Sequence, residues 1–296
     1  MSLPIDATCM MCYLGKQLTL ARSLGDDATA NAYMRELTQH FLDLPQHLPS
    51  PMLAPGTTAL LKKYYGLDED RFKAEKQAAN EFVVERLDDI RRRVRGAKDP
   101  VLAGLQFAIL GNYLDFSALG DSVSFEKLGR MMDEALEMPL DPNMVARFRA
   151  ELEAGRKLLY LTDNAGEIGF DRVCAEVLQE AYPHLEITFC VRGGICSNDA
   201  TREDADIVGI RFPVIDNGSN IAGTLPEILG DDAKTAMETA DVILSKGMAN
   251  TETLYGSGYN IYYAFLVKCD KFVRIFQKEL MTPMFIGEIR HINLLE

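Results

Sequence analysis

Short apolar runs alternate with stretches of helical periodicity in the second half of the chain, and this alternation limits the folds that it can adopt. After Gly155 the apolar runs cover residues 158–161, 187–191, 212–215, 242–244, 261–267 and 284–289. Runs of this length suit strands that are buried on both faces, and the helical patterns between several of them suit crossover connections. We therefore predict an α/β fold with a doubly wound, mainly parallel sheet.

The first half of the chain carries mostly helical patterns. We predict a helical domain over residues 1–154 and an α/β domain over residues 155–296. Residues 71–95 have apolar side chains three or four apart with charges between them, which predicts one amphipathic helix. Asp-Pro pairs at residues 99–100 and 141–142 predict helix starts, and residues 124–138 predict a further helix. The four prolines between residues 44 and 56 predict an extended connector.

The composition and net charge indicate which partners and which cellular compartment to expect for this chain. The 296 residues carry a formal net charge of −13, which argues against nucleic acid or an anionic membrane as the main partner. No run of about 18 uncharged apolar residues occurs, so we expect no membrane span. The N-terminal residues lack the pattern of a secretory signal, and six cysteines in a chain of this length do not indicate a disulfide scaffold. We expect a cytoplasmic protein.

Polar residues follow four of the predicted strands, where each strand ends. They include Asp163, Asn164 and Glu167 after the first strand, Arg192, Asn198 and Asp199 after the second, Asp216, Asn217 and Asn220 after the third, and Lys246, Gly247 and Asn250 after the fourth. A parallel sheet brings the carboxyl ends of its strands to one edge, and open α/β sheets bind ligands there. We therefore predict that these side chains converge on one site.

The residue types at this edge indicate a metal and an anion. Asp163, Asn164 and Asp199 offer three oxygen ligands, which suit Mg²⁺ or Mn²⁺ better than Zn²⁺. Asp and Asn also cap helices, so the pair after the first strand has an equally good structural interpretation. Lys246 can meet an anion while the backbone of Gly247 approaches closely. None of the four histidines follows these strands, but phosphoryl transfer depends mainly on positioning and electrostatics.

Several segments occur together that resemble one protein family. Thr-Asp-Asn-Ala-Gly-Glu at 162–167, Asn-Asp-Ala-Thr-Arg-Glu-Asp-Ala at 198–205 and Ser-Lys-Gly-Met-Ala-Asn-Thr-Glu-Thr-Leu at 245–254 resemble signature segments of the damage-control phosphatases. This family was long filed as domain of unknown function eighty-nine. Gly-Asn-Tyr-Leu-Asp at 111–115, the Cys-x-x-Cys at 9–12 and Lys-Cys at 268–269 resemble the subfamily first seen in archaea. The resemblance spans nearly the whole chain, with the motifs in the same order.

The resemblance implies hydrolysis of small phosphorylated metabolites, such as sugar phosphates and damaged or side-product cofactors. It assigns Asp163, Asn164 and Asp199 as ligands of a divalent metal, which we expect to be Mg, Mn, Co or Ni. It assigns Lys246 to the substrate phosphate. We predict that Asp163 or Asp199 accepts the proton of an attacking water. The alternative of Asp163 as a covalent nucleophile is less favoured, because no second Asp follows two residues later.

Further residues complete the predicted substrate site. By resemblance, Asn112 and Asp115 reach into the pocket from the helical part, although the end of an apolar helix is often polar for structural reasons. The other candidate substrate contacts are Glu167, Arg192, Asn198, Gly247 and Asn250. The sequence leaves the oligomeric state and the physiological substrate open.

Two other functions are compatible with parts of this pattern. A carboxyl methyltransferase using S-adenosylmethionine would favour a glycine-rich first turn and an acid after the second strand, whereas this chain has Gly166 alone and Arg192 there. A non-catalytic module that binds phosphometabolites would keep Lys246 but would not need two Asp and an Asn together.

The N-terminal cysteines have their own alternatives. Cys9, Cys12 and Cys269 could hold a metal, but no fourth ligand is evident in the sequence. A redox pair or simple packing is also compatible with Cys-x-x-Cys, and packing is slightly favoured over metal or redox use.

Overall fold

Residues 2–115, 119 and 123–288 are described in a computed structural model. Before residue 155, the described chain contains eight α-helices. They are α1 Ala7–Leu24, α2 Asp27–Asp43, α3 Ala54–Tyr65, α4 Lys73–Val84, α5 Leu87–Gly96, α6 Pro100–Gly111, α7 Phe125–Glu134 and α8 Pro142–Ala154. Short 3₁₀ helices cover Ser50–Leu53, Glu69–Phe72 and Ala135–Glu137. The side chains of Asp99, Ser124 and Asp141 cap α6, α7 and α8, as the sequence predicts for the two Asp-Pro pairs.

Strands and helices alternate from residue 157 onward. The order is β1 Lys157–Leu161, α9 Glu167–Ala181, β2 Glu186–Val191, α10 Arg202–Ile207, β3 Val214–Asp216, α11 Asp231–Thr239, β4 Val242–Lys246, α12 Gly247–Leu254, β5 Ile261–Leu266, α13 Asp270–Phe276 and β6 Pro283–Gly287. A 3₁₀ turn, Pro226–Ile228, precedes α11. The predicted strand at 284–289 corresponds to β6, and its last residue, Ile289, lies outside the described residues.

A single sheet of six described strands has the order β3-β2-β1-β4-β5-β6. All neighbouring pairs are parallel except β5 and β6, which are antiparallel. This arrangement confirms the predicted α/β fold with a mainly parallel sheet. The chain runs outward from β1 through β2 to β3 and then crosses back to β4, so the strand order reverses between β1 and β4. Ligand sites of open α/β sheets lie at such reversals.

Successive side chains of the central strands enter two different hydrophobic clusters. Leu158 and Tyr160 of β1 belong to a cluster built with α5, α6 and α9. Leu159 and Leu161 belong to a second cluster, built with α11, α12 and α13. Both faces of the sheet are therefore buried, which is why the strands are apolar throughout.

Helix α6 lies in the interior of the molecule. All but two of its residues are buried, and it packs along α9 in the larger cluster. Its last turn ends at Gly111, so the polar residues that follow are delivered to the edge where β1 and β4 end. Among the described residues, no helix is both long and apolar enough to span a membrane.

Two local predictions are wrong. The helix predicted over residues 71–95 is divided into α4 and α5, with a turn at Glu85 and Arg86. The Arg86 guanidinium donates to the Phe82 carbonyl at 2.9 Å, and the Arg86 amide turns to the Val83 carbonyl instead. The connector predicted over residues 44–56 is wrong only from residue 50 onward, where the chain forms a 3₁₀ turn and the start of α3. Pro51 and Pro55 occupy first-turn positions that proline tolerates.

Candidate active site

Two turns that follow β1 and β2 are joined by backbone hydrogen bonds. The Ala165 amide donates to the Asn198 carbonyl at 2.8 Å, and the Ala200 amide donates to the Asp163 carbonyl at 2.7 Å. These bonds form an isolated antiparallel bridge in which Asn164 lies opposite Asp199. The predicted metal ligands are thus brought together from separate strand ends.

Each of the two carboxylates at this bridge has one oxygen held and one left over. Asp163 Oδ2 accepts from Asn164 Nδ2 at 2.8 Å and from Asn112 Nδ2 at 3.0 Å, and Asp199 Oδ2 accepts from Arg192 Nε at 2.6 Å. Among the donors that the structure describes, none bonds the other oxygen of either carboxylate, and Arg192 Nη2 lies 3.8 Å from Asp163 Oδ1. Two anionic oxygens therefore remain for a ligand.

The charges around Asp163 are unfavourable for a carboxylate without a cation. Burial raises its pKa well above the ordinary value, and the nearby carboxylates of Glu167, Asp199 and Asp115 add to the rise. Burial also raises the pKa of Asp199, although Arg192 opposes that shift. A bound divalent cation would balance this excess of negative charge.

The donor set fits a hard divalent cation. Asp163, Asn164 and Asp199 supply carboxylate and amide oxygens, with neither sulfur nor imidazole among them. The Asn164 Oδ1 atom accepts one bond, from Asn198 Nδ2 at 2.8 Å, and retains a second lone pair. Within the described residues, no three His, Cys, Asp or Glu side chains are grouped to hold a metal, so this candidate depends on the amide.

Gly247 allows the two central strand ends to approach closely. Its φ is +80°, and a Cβ atom there would lie 1.9 Å from Asp163 Oδ2. Any side chain at this position would displace the carboxylate. Gly247 was predicted to let backbone approach a bound anion, and in the structure the group that it faces is the Asp163 carboxylate.

Lys246 lies between the sheet and the helices α6 and α9. It is fully buried, and its ammonium donates to the Ala108 carbonyl at 2.7 Å, to Glu167 Oε1 at 2.6 Å and to Asp171 Oδ1 at 2.8 Å. All three of its protons are thereby engaged. This arrangement does not support the predicted contact of Lys246 with a substrate phosphate, because the ammonium is directed toward α6 and α9.

The sequence did not predict that Lys246, Glu167 and Asp171 form one buried cluster. Asp171 lies one helical turn beyond Glu167 on α9, and it also accepts a hydrogen bond from the Tyr160 hydroxyl at 2.9 Å. Burial raises the pKa of Asp171 to about 7, and Lys246 partly opposes the rise. Burial would lower the pKa of Lys246, but Asp171 and Glu167 outweigh this effect and raise it.

Lys268 supplies a cation nearer to the carboxylate cluster. Its side chain is fully buried, and its ammonium lies 2.7 Å from Asp115 Oδ2. Its positive charge also acts to lower the pKa of Asp163, against a rise that is caused mainly by burial. Lys268 was absent from the predicted site. It follows β5, so polar residues at the end of the fifth strand would have identified it by the rule used for the other four.

The other predicted substrate contacts lie around the same edge. Asn112 also donates to both oxygens of Glu167, at 3.1 and 3.0 Å, and accepts from the Leu266 amide at 3.1 Å. Asn250 donates to the Thr162 carbonyl at 3.0 Å and lies 3.4 Å from Arg192 Nη2. Asn112, Glu167, Asn198 and Asn250 are therefore at the predicted edge, but their described bonds are to other protein groups.

A separate cavity of about 430 Å³ is lined by Ser2, the segment between α2 and α3, the loop before α11, and residues at and after the end of α12. Its walls include His47, Met52, Leu225, Ile228 and Tyr259. It contains none of the predicted site residues. The candidate site is therefore defined by its polar groups and not by the size of a cavity.

Comparison with known proteins identifies the family of this chain. A family model described as the damage-control phosphatase ARMT1-like domain matches residues 5–282. The chain belongs to this family. It is 30% identical over 276 residues to a damage-control phosphatase of Archaeoglobus fulgidus, covering 91% of this chain and 94% of that protein. It is 31% identical over 226 residues to a damage-control phosphatase of Pyrococcus horikoshii, covering 75% of each.

A solved structure of the same family has the same fold. The crystal structure of a DUF89 family protein from Pyrococcus horikoshii superposes with a TM-score of 0.82 and 24% identity, covering 97% of this chain and 99% of that one. Membership of the damage-control phosphatase family supports phosphatase activity for this chain, and a phosphatase is a hydrolase.

The three cysteines of the proposed archaeal-type motifs are free in the structure. Cys12 is exposed, and Cys9 and Cys269 are partly buried, with Cys269 at the start of α13. Burial raises the pKa of the Cys9 thiol to about 11, which disfavours a reactive thiolate. No described group of three metal-binding side chains includes them.

Proposed function

We propose that this chain is a metal-dependent phosphohydrolase of small phosphorylated metabolites. The observation that carries the proposal is the bridge between Asn164 and Asp199 at the reversal of strand order. It places two carboxylates, each with one oxygen that no described donor bonds, beside an amide. Sugar phosphates and damaged or side-product cofactors remain the proposed substrate classes. Mg²⁺, Mn²⁺, Co²⁺ and Ni²⁺ are the proposed metals.

Each part of the reaction has a candidate group. Asp163, Asn164 and Asp199 would hold the cation, which when bound supplies Lewis-acid polarisation of a phosphoryl group and a water. Asp163 or Asp199 accepts the proton of the attacking water, because each has one carboxylate oxygen that no described donor bonds. Lys268 takes the role first assigned to Lys246, neutralising charge on the phosphoryl oxygens.

Removing divalent metal should abolish the activity. The purified protein is treated with EDTA, dialysed, and assayed for phosphate release from p-nitrophenyl phosphate with and without Mg²⁺, Mn²⁺, Co²⁺ or Ni²⁺. We expect no turnover without metal and recovery with at least one of the four. Full turnover after exhaustive chelation would contradict the proposal. A protein that binds metal and substrate without releasing phosphate would instead be the non-catalytic module considered above.

Replacing Lys268 with Met should slow hydrolysis while metal still binds. The ammonium acts on the substrate phosphate in this proposal, so kcat/KM should fall by about 10²–10³-fold, as for the loss of a group that stabilises transition-state charge. Calorimetric titration with Mn²⁺ beside steady-state kinetics separates the two effects.

The matched control is Lys271→Met, since Lys271 is another buried lysine, paired at 2.9 Å with Glu252 outside the site. It should lose stability and keep kcat/KM at the temperature where it is folded. Equal kinetic losses in both variants would show that Lys268 has no special relation to the substrate.

A further inference from the structure

We propose that Asn80 is a positioning residue that fixes the separation of the two metal-ligand turns, an inference that rests on the metal site proposed above. Asn80 lies on α4 and is fully buried. Its Oδ1 accepts from the Gly166 amide at 2.7 Å, and its Nδ2 donates to Asp204 Oδ1 at 2.8 Å. Gly166 follows Asn164 by two residues, and Asp204 follows Asp199 by five. One amide thus contacts the turn that carries Asn164 and the helix that follows the turn of Asp199.

The Asp204 end of this contact is firmly held. Asp204 is the third residue of α10, and its Oδ2 accepts from the Thr201 amide at 2.7 Å and from the Thr201 hydroxyl at 2.8 Å. Lys76, one turn before Asn80 on α4, places its ammonium 2.8 Å from the same oxygen. With the bond from Asn80, the carboxylate has four donors, so it is a rigid anchor for the segment that follows Asp199.

The Gly166 end is equally constrained. Gly166 has a φ of +74°, and a Cβ there would lie 2.9 Å from both the Cβ and the carbonyl oxygen of Ala79. The turn that carries Asn164 therefore lies directly against the backbone of α4. Of the two orientations of the Asn80 amide, only the present one satisfies both a backbone donor and a carboxylate acceptor.

The consequence concerns the distance between metal ligands. Asn164 and Asp199 lie opposite each other across one isolated bridge, which has two backbone hydrogen bonds to hold it. Asn198 Nδ2 also donates to Asn164 Oδ1 at 2.8 Å, but all of these bonds join the two turns directly. The amide of Asn80 adds a connection through a different element, α4. Loss of Asn80 should therefore loosen the ligand geometry before it unfolds the protein.

The test compares Asn80→Ala with a matched control, Gln106→Ala. Gln106 is also a buried amide of the helical part, and its Nε2 donates to the carbonyls of Leu136 and Met138 at 3.1 and 2.8 Å, away from the site. Each substitution deletes two hydrogen bonds that a buried amide side chain makes. Mn²⁺ affinity is measured by calorimetry, and amide hydrogen exchange over residues 162–168 and 198–204 is measured in metal-free protein.

Asn80→Ala should weaken Mn²⁺ binding by about 10- to 100-fold, the range for groups that orient metal ligands. It should also speed exchange in both segments, whereas Gln106→Ala should match the wild-type protein in both measurements. Wild-type affinity and exchange in Asn80→Ala, or equal losses in the two variants, would overturn the proposal.

Two further outcomes are decisive. If Asn80→Ala does not fold, Lys76→Met removes one donor from Asp204, and it should weaken Mn²⁺ binding beyond the range of the control; an unchanged affinity overturns the inference. If the wild-type protein binds no Mn²⁺, the proposed function fails, and the exchange measurement alone decides whether Asn80 holds the two turns.

Discussion

Replacing Asp163 with Asn should remove divalent-metal binding and lower kcat/KM by more than about 100-fold. Outer groups that merely orient metal ligands are worth 10- to 100-fold, so losing a ligand that carries charge should cost more. Asn keeps the shape of the side chain and an acceptor for Asn112 and Asn164, so the fold should survive. Mn²⁺ calorimetry and phosphate-release kinetics measure the two losses together.

The matched control for this substitution is Glu252→Gln. Glu252 is a buried carboxylate on α12 that contacts Lys271 and Ser50 outside the site. It should retain metal affinity and turnover. Near-normal turnover of Asp163→Asn at the same metal concentration would show that the ligand is wrongly assigned.

The same substitution should change how stability depends on pH. Because the folded-state pKa of Asp163 is raised above 3.8, its neutral form is favoured in the folded protein. This contribution is fully present below 3.8 and is lost as the pH rises through the raised pKa. Thermal unfolding in EDTA should therefore show wild-type stability falling more steeply than that of Asp163→Asn as the pH rises. Parallel profiles of stability against pH for the two proteins would contradict the raised pKa of Asp163.

Replacing Lys246 with Met should destabilise the protein by about 3–5 kcal/mol, the usual cost of leaving a buried charge without its partner. The ammonium of Lys246 lies 2.6 Å from Glu167 and 2.8 Å from Asp171, and all three side chains are fully buried. Urea unfolding measures the loss. Adding Asp171→Asn should recover part of it, because one of the two uncompensated carboxylates becomes neutral.

This expectation differs from the one that the sequence alone suggests. A phosphate-binding Lys246 would leave stability and metal binding intact when replaced and would weaken substrate binding. A Lys246→Met variant with wild-type stability and a raised KM would restore that first interpretation. A destabilised variant that is partly rescued by Asp171→Asn supports the buried network.

Much of the site could be predicted because strand ends of a parallel sheet converge whatever their separation along the chain. That rule identified Asp163, Asn164 and Asp199, which the structure brings together across one bridge. It also applies to Lys268 at the end of β5, which was overlooked. Asn80 could not be found in this way, because it lies in the middle of a helix.

The position of Asn80 nevertheless left a signal. Lys76, Asn80, Val83 and Leu87 are spaced by four, three and four residues, so two polar side chains occupy the stripe that should be apolar. All four are buried. A polar residue on a buried stripe predicts a hydrogen-bonded partner, but the partner of Asn80 is 124 residues away and no spacing indicates it.

The sequence by itself determined the alternation of strands and helices, and therefore which edge of the sheet carries the polar residues. Only the tertiary structure decided where the ammonium groups of Lys246 and Lys268 are directed at that edge. Lys246 pairs in register with Ala264, so it is still within the sheet, whereas the predicted strand ended at residue 244. Side chains alternate between faces along a strand, and Lys246 therefore shares the face of Val242 and Leu244, beneath α6 and α9.

Lys268 lies two residues beyond the end of β5 and reaches Asp115. A difference of two residues in a strand boundary is not fixed by local sequence, because it depends on which neighbouring strand supplies the last hydrogen bonds.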